Sequence, residues 1–512
     1  MNELKAKIST LLIKLEQAVQ LHQAKKVELL AKQILQKNMA TLAAYHALFQ
    51  LYEVQQNYNE LLKIAKQCLK LFQQDALSYY KLALAQRFLH QESAALLNLV
   101  QALSLAPEQI QWRNLYGVML KENGQLKQAQ QCFSECITQQ ADFILSYYNR
   151  ASLSALLNAS DLAYLQTQFN NDNLSVSDKI YCGYTLFKHF EQQQQYIQAF
   201  SYLSCASQLK RQQLHYDHQQ EVIEHQQIED VFSTEFIYRI AADNLATPQK
   251  ANYSCSAIFI CGLPRSGTTL VEQIVSSHSQ VTAGDELYAL AQATQNVLQQ
   301  CQPKQAFPFC MQELTIQNFT DIEVNYLHLT RHFQYNAFQS TDPQDKHLQK
   351  QRYFTDKMLL NYKAIGVISL AMPTAKIVIC QRNAMDVLFG CYKQMLGEGN
   401  KYSYDLDELS DIIIAHQQLV QHWQRLFPNN VFLLNYESLI HQQERITRQV
   451  LTFLDLPFEQ ACIDFHQNKR VVHTLSNVQV RQPLFTRGID QWKNYQTALE
   501  PFYQKFKQAG LL

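Results

Sequence analysis

The sequence predicts an α plus α/β protein: an N-terminal α-solenoid of paired helices, followed by a P-loop-like α/β domain on a parallel sheet. Three observations predict it. Small and apolar residues recur through the first half with a period of about 34 residues. Short apolar runs within 257–261, 376–380 and 431–435 have the continuity of parallel strands buried on both faces. Between the two patterns lies a polar stretch around Pro248, from Leu245 to Asn252, which places the domains at 1–245 and 253–512.

The repeats are clearest from Ile110 onward, through Tyr116-Gly117, Leu120, Gly124, Ala129, Phe133 and Cys136. The preceding unit aligns Tyr79, Leu82-Ala83, Ala95, Leu99, Ala102 and Pro107, and the one before it Tyr45, Leu48, Tyr58, Ala65 and Cys68. A degraded unit runs from Leu12 to Asn38. These positions resemble the tetratricopeptide (TPR) pattern, with Cys136 in place of the usual Ala. Gly117 and Ala83 let one helix of a pair approach the other, where Ala129 and Ala95 face them. Beyond Leu145 the pattern decays, although Tyr184 to Leu209 reads as one further helix pair. An array of this kind is a scaffold, and its expected partner is a peptide or protein.

Composition supports a helix-rich soluble protein, with 47% apolar and 17% charged residues and only 12 Gly and 11 Pro in 512. A net charge of zero gives no global attraction to nucleic acid or anionic lipid, so anion binding has to come from a local site. The 12 cysteines lack zinc spacing, and several, such as Cys205, Cys261 and Cys380, sit in apolar runs. They read as free, largely buried thiols of a reducing compartment. With no signal peptide and no 18-residue apolar stretch, the expectation is a cytoplasmic protein without a membrane span.

The chemistry begins after the first apolar run. Ala257–Cys261 leads into Gly262-Leu-Pro-Arg-Ser-Gly-Thr-Thr269, and a helical pattern opens at Leu270. Strand, glycine-containing loop and helix start together aim several backbone N–H groups at one point, which makes an anion site. The spacing resembles a Walker A loop, but Thr268 replaces the Walker lysine and the loop's cation is Arg265.

Pro264-Arg-Ser-Gly-Thr-Thr-Leu270 resembles the 5′-phosphosulfate loop of the sulfotransferases that use PAPS (3′-phosphoadenosine 5′-phosphosulfate). With Ser277-His278 and the acidic pair Asp285-Glu286 behind it, it is similar to the protein-tyrosine sulfotransferases. It is still more similar to the bacterial sulfotransferases that carry tetratricopeptide repeats. The likeness extends from about Ile258 to Tyr495.

The resemblance implies PAPS as co-substrate, no metal, and a role for each matching residue. Amides of Ser266, Gly267, Thr268 and Thr269 hold the 5′-phosphosulfate, and Arg265 and Lys357, the latter in Thr355-Asp-Lys-Met358, stabilise charge as the S–O bond breaks. Arg382, at the end of the 376–380 run, takes the 3′-phosphate. Gly390 stands where the family keeps a serine for that phosphate, and Lys393 on the same predicted helix is placed to compensate. Tyr436 contacts adenine, and Ser476, in the segment ending at Pro483, touches a donor phosphate. Gln491 replaces a basic residue before Trp492, and Arg487 supplies the charge instead. Trp492 and Tyr495 read equally as core and as cofactor platform.

Glu286 is the implied general base. Burial and the neighbouring Asp285 raise the pKa of such a carboxylate toward neutrality. The plainer reading is that Asp285-Glu286 caps a helix beginning at Leu287. The segment from Gln292 to Lys350 is expected to shape the acceptor pocket. The reaction implied is in-line transfer of a sulfuryl group to an acceptor hydroxyl, with peptide tyrosine one candidate. The alternatives are a non-catalytic TPR adaptor with a decayed transferase domain, kept open by Gly390 and Gln491, and a P-loop kinase or NTPase.

Overall fold

The computed structural model describes residues 2–89, 91–153, 156–244, 255–333, 352–397, 399–468, 470 and 479–512. The expected linker at 245–252, Ser476, and the 334–350 part of the expected acceptor segment lie outside these. The chain divides into two compact units, Met1–Ala155 and Leu156–Leu512.

The first unit holds helices α1 Asn2–Gln20, α2 Ala24–Lys37, α3 Leu42–Val54, α4 Tyr58–Leu71, α5 Ala76–Phe88, α6 Glu92–Leu105, α7 Ile110–Glu122, α8 Leu126–Gln139 and α9 Ile144–Ala151. The starts of α3, α5, α7 and α9 are spaced by 34 residues, as are those of α2, α4, α6 and α8. This is a TPR-like array, and its packing explains the small residues. A Cβ at Gly117 would lie 2.6 Å from Cε1 of Phe133, so α7 and α8 approach more closely than any larger residue permits. That partner is the Phe133 ring, one turn beyond the expected Ala129. Ala83, Ala95, Ala129 and Cys136 are all fully buried. Successive units are stitched by Tyr58 stacked on Phe88 at 4.0 Å, Tyr80 on Trp112 at 4.7 Å, and an Arg87–Glu122 ion pair at 2.6 Å.

The second unit opens with helices α10 Ala159–Phe169, α11 Val176–Gln192, α12 Tyr196–Gln212, α13 His218–Val231 and α14 Thr234–Asn244. The helix pair expected from Tyr184 to Leu209 is α11 and α12. Cys205 departs from its apolar-run reading: it is exposed, sharing the solvent face of α12 with Ser201 and Gln208. Cys261 and Cys380 are buried as expected.

A five-stranded sheet follows, with β1 Cys255–Cys261, β2 Val281–Thr282, β3 Arg352–Asp356, β4 Lys376–Gln381 and β5 Val431–Asn435 in the order β2-β3-β1-β4-β5. Every pairing is parallel, with Phe259 opposite Asp356 and Gln381 opposite Asn435. Its helices are α15 Thr268–Val275, α16 Ala289–Cys301, α17 Ile316–Leu329, α18 Ile365–Ala371, α19 Ala384–Tyr392, α20 Leu406–Leu426, α21 Tyr436–His441, α22 Gln443–Phe453 and α23 Gln496–Gln508. Helices cover both faces of the sheet, so Ile258, Phe259, Ile260 and Cys261 all have no exposed surface. The strand at the centre, β1, delivers its C-terminal end into the loop at Gly262. In sheets of this kind ligands bind outside the carboxyl ends of the strands.

Candidate active site

The loop Gly262–Thr269 is held by backbone geometry that glycine alone adopts without strain. Gly267 has φ +104°, and a Cβ there would sit 2.6 Å from Cδ2 of Tyr436. The Gly262 amide donates to the Leu359 carbonyl at 3.3 Å, and Ser266 Oγ donates to the Leu263 carbonyl at 2.7 Å. Helix α15 starts at Thr268 with Gly267 at its cap, so the amides of its first turn have no intrahelical acceptor. Ser266, Thr268 and Thr269 are buried.

Two arginines converge on this loop. Arg265, itself at φ +66°, donates from Nη2 to Gln479 Oε1 at 3.0 Å. Burial, and then the neighbouring Arg382, lower its pKa. Arg382 donates through Nη1 to the Arg265 carbonyl at 3.0 Å and through Nη2 to the Gly488 carbonyl. Its guanidinium lies 4.5 Å over the Tyr436 ring, and its buried Nε makes no hydrogen bond among the described residues. Burial also raises the Asp386 carboxyl, whose Oδ2 lies 3.9 Å from Arg382. Tyr436, the first residue of α21, is thus a floor for both Gly267 and Arg382.

The departures at 390 and 491 have local explanations. A Cβ at Gly390 would meet Arg265 Cβ at 3.3 Å, so the missing side chain makes room for the loop arginine. Gln491 Oε1 accepts from Lys393 Nζ at 2.7 Å, and Glu191 on α11 accepts from the same Nζ at 3.1 Å. Burial lowers the Lys393 pKa. Arg487 is exposed on the turn Thr486–Gly488, whose last carbonyl receives Arg382. Trp492 and Tyr495 are core residues, Tyr495 packing at 4.4 Å on Phe389 and Trp492 stacking at 5.6 Å on Tyr503.

On the other side of β1, the chain leaving β3 carries Lys357. Its side chain has no exposed surface, and its Nζ donates to Glu286 Oε1 at 2.7 Å. The expected burial of Glu286 is absent: its side chain is 42% exposed and its neighbour is a lysine. Nor does the acidic pair cap a helix at Leu287, because α16 begins at Ala289 behind Tyr288. The reason lies one residue earlier. Asp285 adopts φ +57°, and its carbonyl accepts from the Lys357 amide at 2.9 Å, which turns Glu286 toward Lys357 and away from a helix start. Gly284 is needed there too, since a Cβ would lie 2.1 Å from the Thr355 carbonyl oxygen.

Sequence reasoning missed the layer beneath. Glu272 and Gln273 on α15 are wholly buried. Arg470 donates to Gln273 Oε1 at 2.7 Å, to Glu272 Oε2 at 2.7 Å and to Asp285 Oδ1 at 2.9 Å. Glu272 Oε1 in turn accepts from the Asp285 amide at 3.0 Å and from Thr355 Oγ1 at 2.8 Å. A visible signal was the polar pair Glu272-Gln273 inside the otherwise apolar run Leu270–Val275. Asp356, beside Lys357, is also fully buried. It accepts from Tyr326 Oη at 3.0 Å and Asn361 Nδ2 at 3.1 Å, and burial pushes its carboxyl up to about 7.

Residues 257–460 match the family model described as the Sulfotransferase family. The loop, Glu286, Lys357, Arg382 and Tyr436 therefore lie in a sulfotransferase-family domain, carried on one chain with a TPR-like helical array. Among relatives, a protein of Aquifex aeolicus (strain VF5) described as uncharacterized is 25% identical over 394 residues, 76% of this chain and 49% of its own. The chain thus spans about half the length of that relative. Protein-tyrosine sulfotransferase 1 of Danio rerio is 23% identical over 262 residues, covering 49% of this chain and 69% of its own. Among solved structures, the sulfotransferase domain of the Synechococcus PCC 7002 olefin synthase aligns with 48% of this chain and 90% of that domain. Its identity is 17% and its TM-score 0.34. No helix among the described residues is long and apolar enough to cross a membrane.

Proposed function

We propose that the protein is a PAPS-dependent sulfotransferase that moves a sulfuryl group to an acceptor hydroxyl, with peptide tyrosine the leading acceptor class. The observation that carries the reading is the pairing of a phosphate loop with a lysine–carboxylate pair across the end of β1. The Gly262 amide reaches the Leu359 carbonyl two residues beyond Lys357, so loop and pair are tied together. A carboxylate 2.7 Å from a buried lysine, beside an anion site, supports reading Glu286 as a proton acceptor and Lys357 as a charge-neutralising cation.

The residues present fit the donor. Gly267 to Thr269 offer amides at a helix N-terminus for the 5′-phosphosulfate, and Arg382 offers a buried Nε without a hydrogen-bond partner among the described residues for the 3′-phosphate. Lys393 adds a cation near the position where Gly390 lacks a hydroxyl, and Arg487 lies at the same rim. Tyr436 supplies the aromatic surface for adenine. Bound there, PAPS supplies an activated sulfuryl group whose transfer releases the bisphosphate PAP.

This chain's part is positioning and charge. Arg265 and Lys357 offset the negative charge that builds on the leaving phosphate. Glu286 accepts the proton of the acceptor hydroxyl, after exchanging its contact with Lys357 for one with that hydroxyl. Its exposure gives the acceptor access. The helical array offers a surface for a peptide or protein acceptor.

Isothermal titration with PAP, PAPS and ATP, each with and without Mg²⁺, tests the reading. Metal-independent PAP binding, tighter than ATP, is expected. Metal-dependent ATP binding would favour a P-loop kinase or NTPase, and no nucleotide binding would favour an adaptor.

A further inference from the structure

We propose that Arg470 is a positioning residue that fixes the Glu286 loop to the phosphate-loop helix. The proposal rests on Glu286 acting as the base. Arg470 spends its whole guanidinium on this junction: Nε on Gln273, Nη2 on Glu272 and Nη1 on Asp285. Two of these partners belong to α15, the helix whose first turn forms the phosphate site. The third is the residue that directs Glu286.

The junction holds a backbone conformation that carries a cost for any residue but glycine. Asp285 has φ +57° without being glycine, and its surroundings hold it there. Here its amide is bonded to Glu272, its carboxylate to Arg470 and its carbonyl to the Lys357 amide. The Glu272 carboxylate accepts from Asp285, Thr355 and Arg470 together, so one buried anion links α15, the base loop and β3. Arg470 supplies its counter-charge, Nη2 to Oε2 at 2.7 Å, with the Glu272 side chain wholly enclosed. Remove the guanidinium and two carboxylates lose their shared donor, freeing Asp285 to relax and Glu286 to leave its register with the loop.

The test uses the full chain, labelled PAPS, and 2-naphthol as acceptor, with PAP affinity measured by calorimetry on the same samples. Arg470→Gln should lower kcat at saturating PAPS by about 10- to 100-fold, because small misplacements of a reacting group cost that much. PAP affinity should remain that of the wild type. Should Arg470→Gln fail to fold, the double variant Glu272→Gln with Arg470→Gln removes both buried charges together and should show the same kcat loss. Asp285→Asn, which keeps an acceptor and tolerates positive φ, should recover activity that Asp285→Ala loses. Equal kcat in wild type and variants, at whatever level, overturns the proposal. So does a defect confined to the KM for PAPS. A wild type that fails to bind PAP removes the underlying functional reading as well.

Discussion

Replacing Gly267 by alanine is the sharpest perturbation of the Gly262–Thr269 loop, because it adds one carbon and removes no charge. An L-residue at φ +104° carries a backbone cost of about 1–2 kcal/mol. The new Cβ would also stand 2.6 Å from Tyr436 Cδ2, so the ring has to move. That ring supports the Arg382 guanidinium 4.5 Å above it, a contact of about 0.5–2 kcal/mol. Their sum, about 1.5–4 kcal/mol, is what binding has to supply to restore the geometry of a loop that relaxes in the free protein, and corresponds to a loss of PAP affinity of about 10- to 1,000-fold. Calorimetric titration of the variant with PAP measures it directly. Gly397, with nothing within 4 Å of an added Cβ, provides the control, and Gly397→Ala should bind PAP like the wild type. A Gly267→Ala protein that is folded and binds PAP with wild-type affinity would refute the placement of the donor on this loop.

The other predictions concern charge and packing. Arg265→Ala should raise the barrier to sulfuryl transfer by about 2–4 kcal/mol, and Glu286→Gln should slow it about 10²–10⁴-fold with little change in PAP affinity; single-turnover consumption of labelled PAPS separates the two. Asp356, pushed up to about 7 in the folded protein, favours its neutral form there, so its stabilising contribution is complete below about pH 4 and fades as pH rises through about 7. Melting curves should show a loss of stability across that window which Asp356→Asn lacks. Gly366→Ala would place a Cβ 2.2 Å from the Phe232 ring, and the overpacking should cost about 1–3 kcal/mol in denaturant unfolding of the second unit.

What the sequence made legible was local. The repeat period was visible because helix length and turn length recur together, and it reappears in the 34-residue spacing of helix starts. The strand, loop and helix at 255–275 were visible because their apolar continuity and glycines adjoin. The Glu272–Arg470 pair joins residues 198 positions apart, and although Glu272 stands out in its apolar run, no local pattern names its partner. Glu286 illustrates the opposite error. Its type and spacing suggested a buried base, but exposure is set by how the turn at Asp285 aims the chain, and positive φ at an aspartate is invisible to periodicity. The hydroxyl missing at Gly390 read as decay, whereas the Arg265 side chain occupies the space alongside it.

The contacts of helices α11 to α13 bear on what could be inherited or transplanted as a working piece. Glu191 holds Lys393, Glu221 and Glu224 grip Lys363, Arg211 clasps Glu408, and His225 bonds the hydroxyl of the enclosed Tyr362. Phe232 fills the notch left at Gly366. A fragment trimmed to residues 257–460 would strip each of these partners away, leaving lysines without carboxylates and a bare aromatic cleft. Helices that look in the sequence like the fading end of a repeat array are, by these bonds, cargo that a gene rearrangement would have to carry along with the sheet.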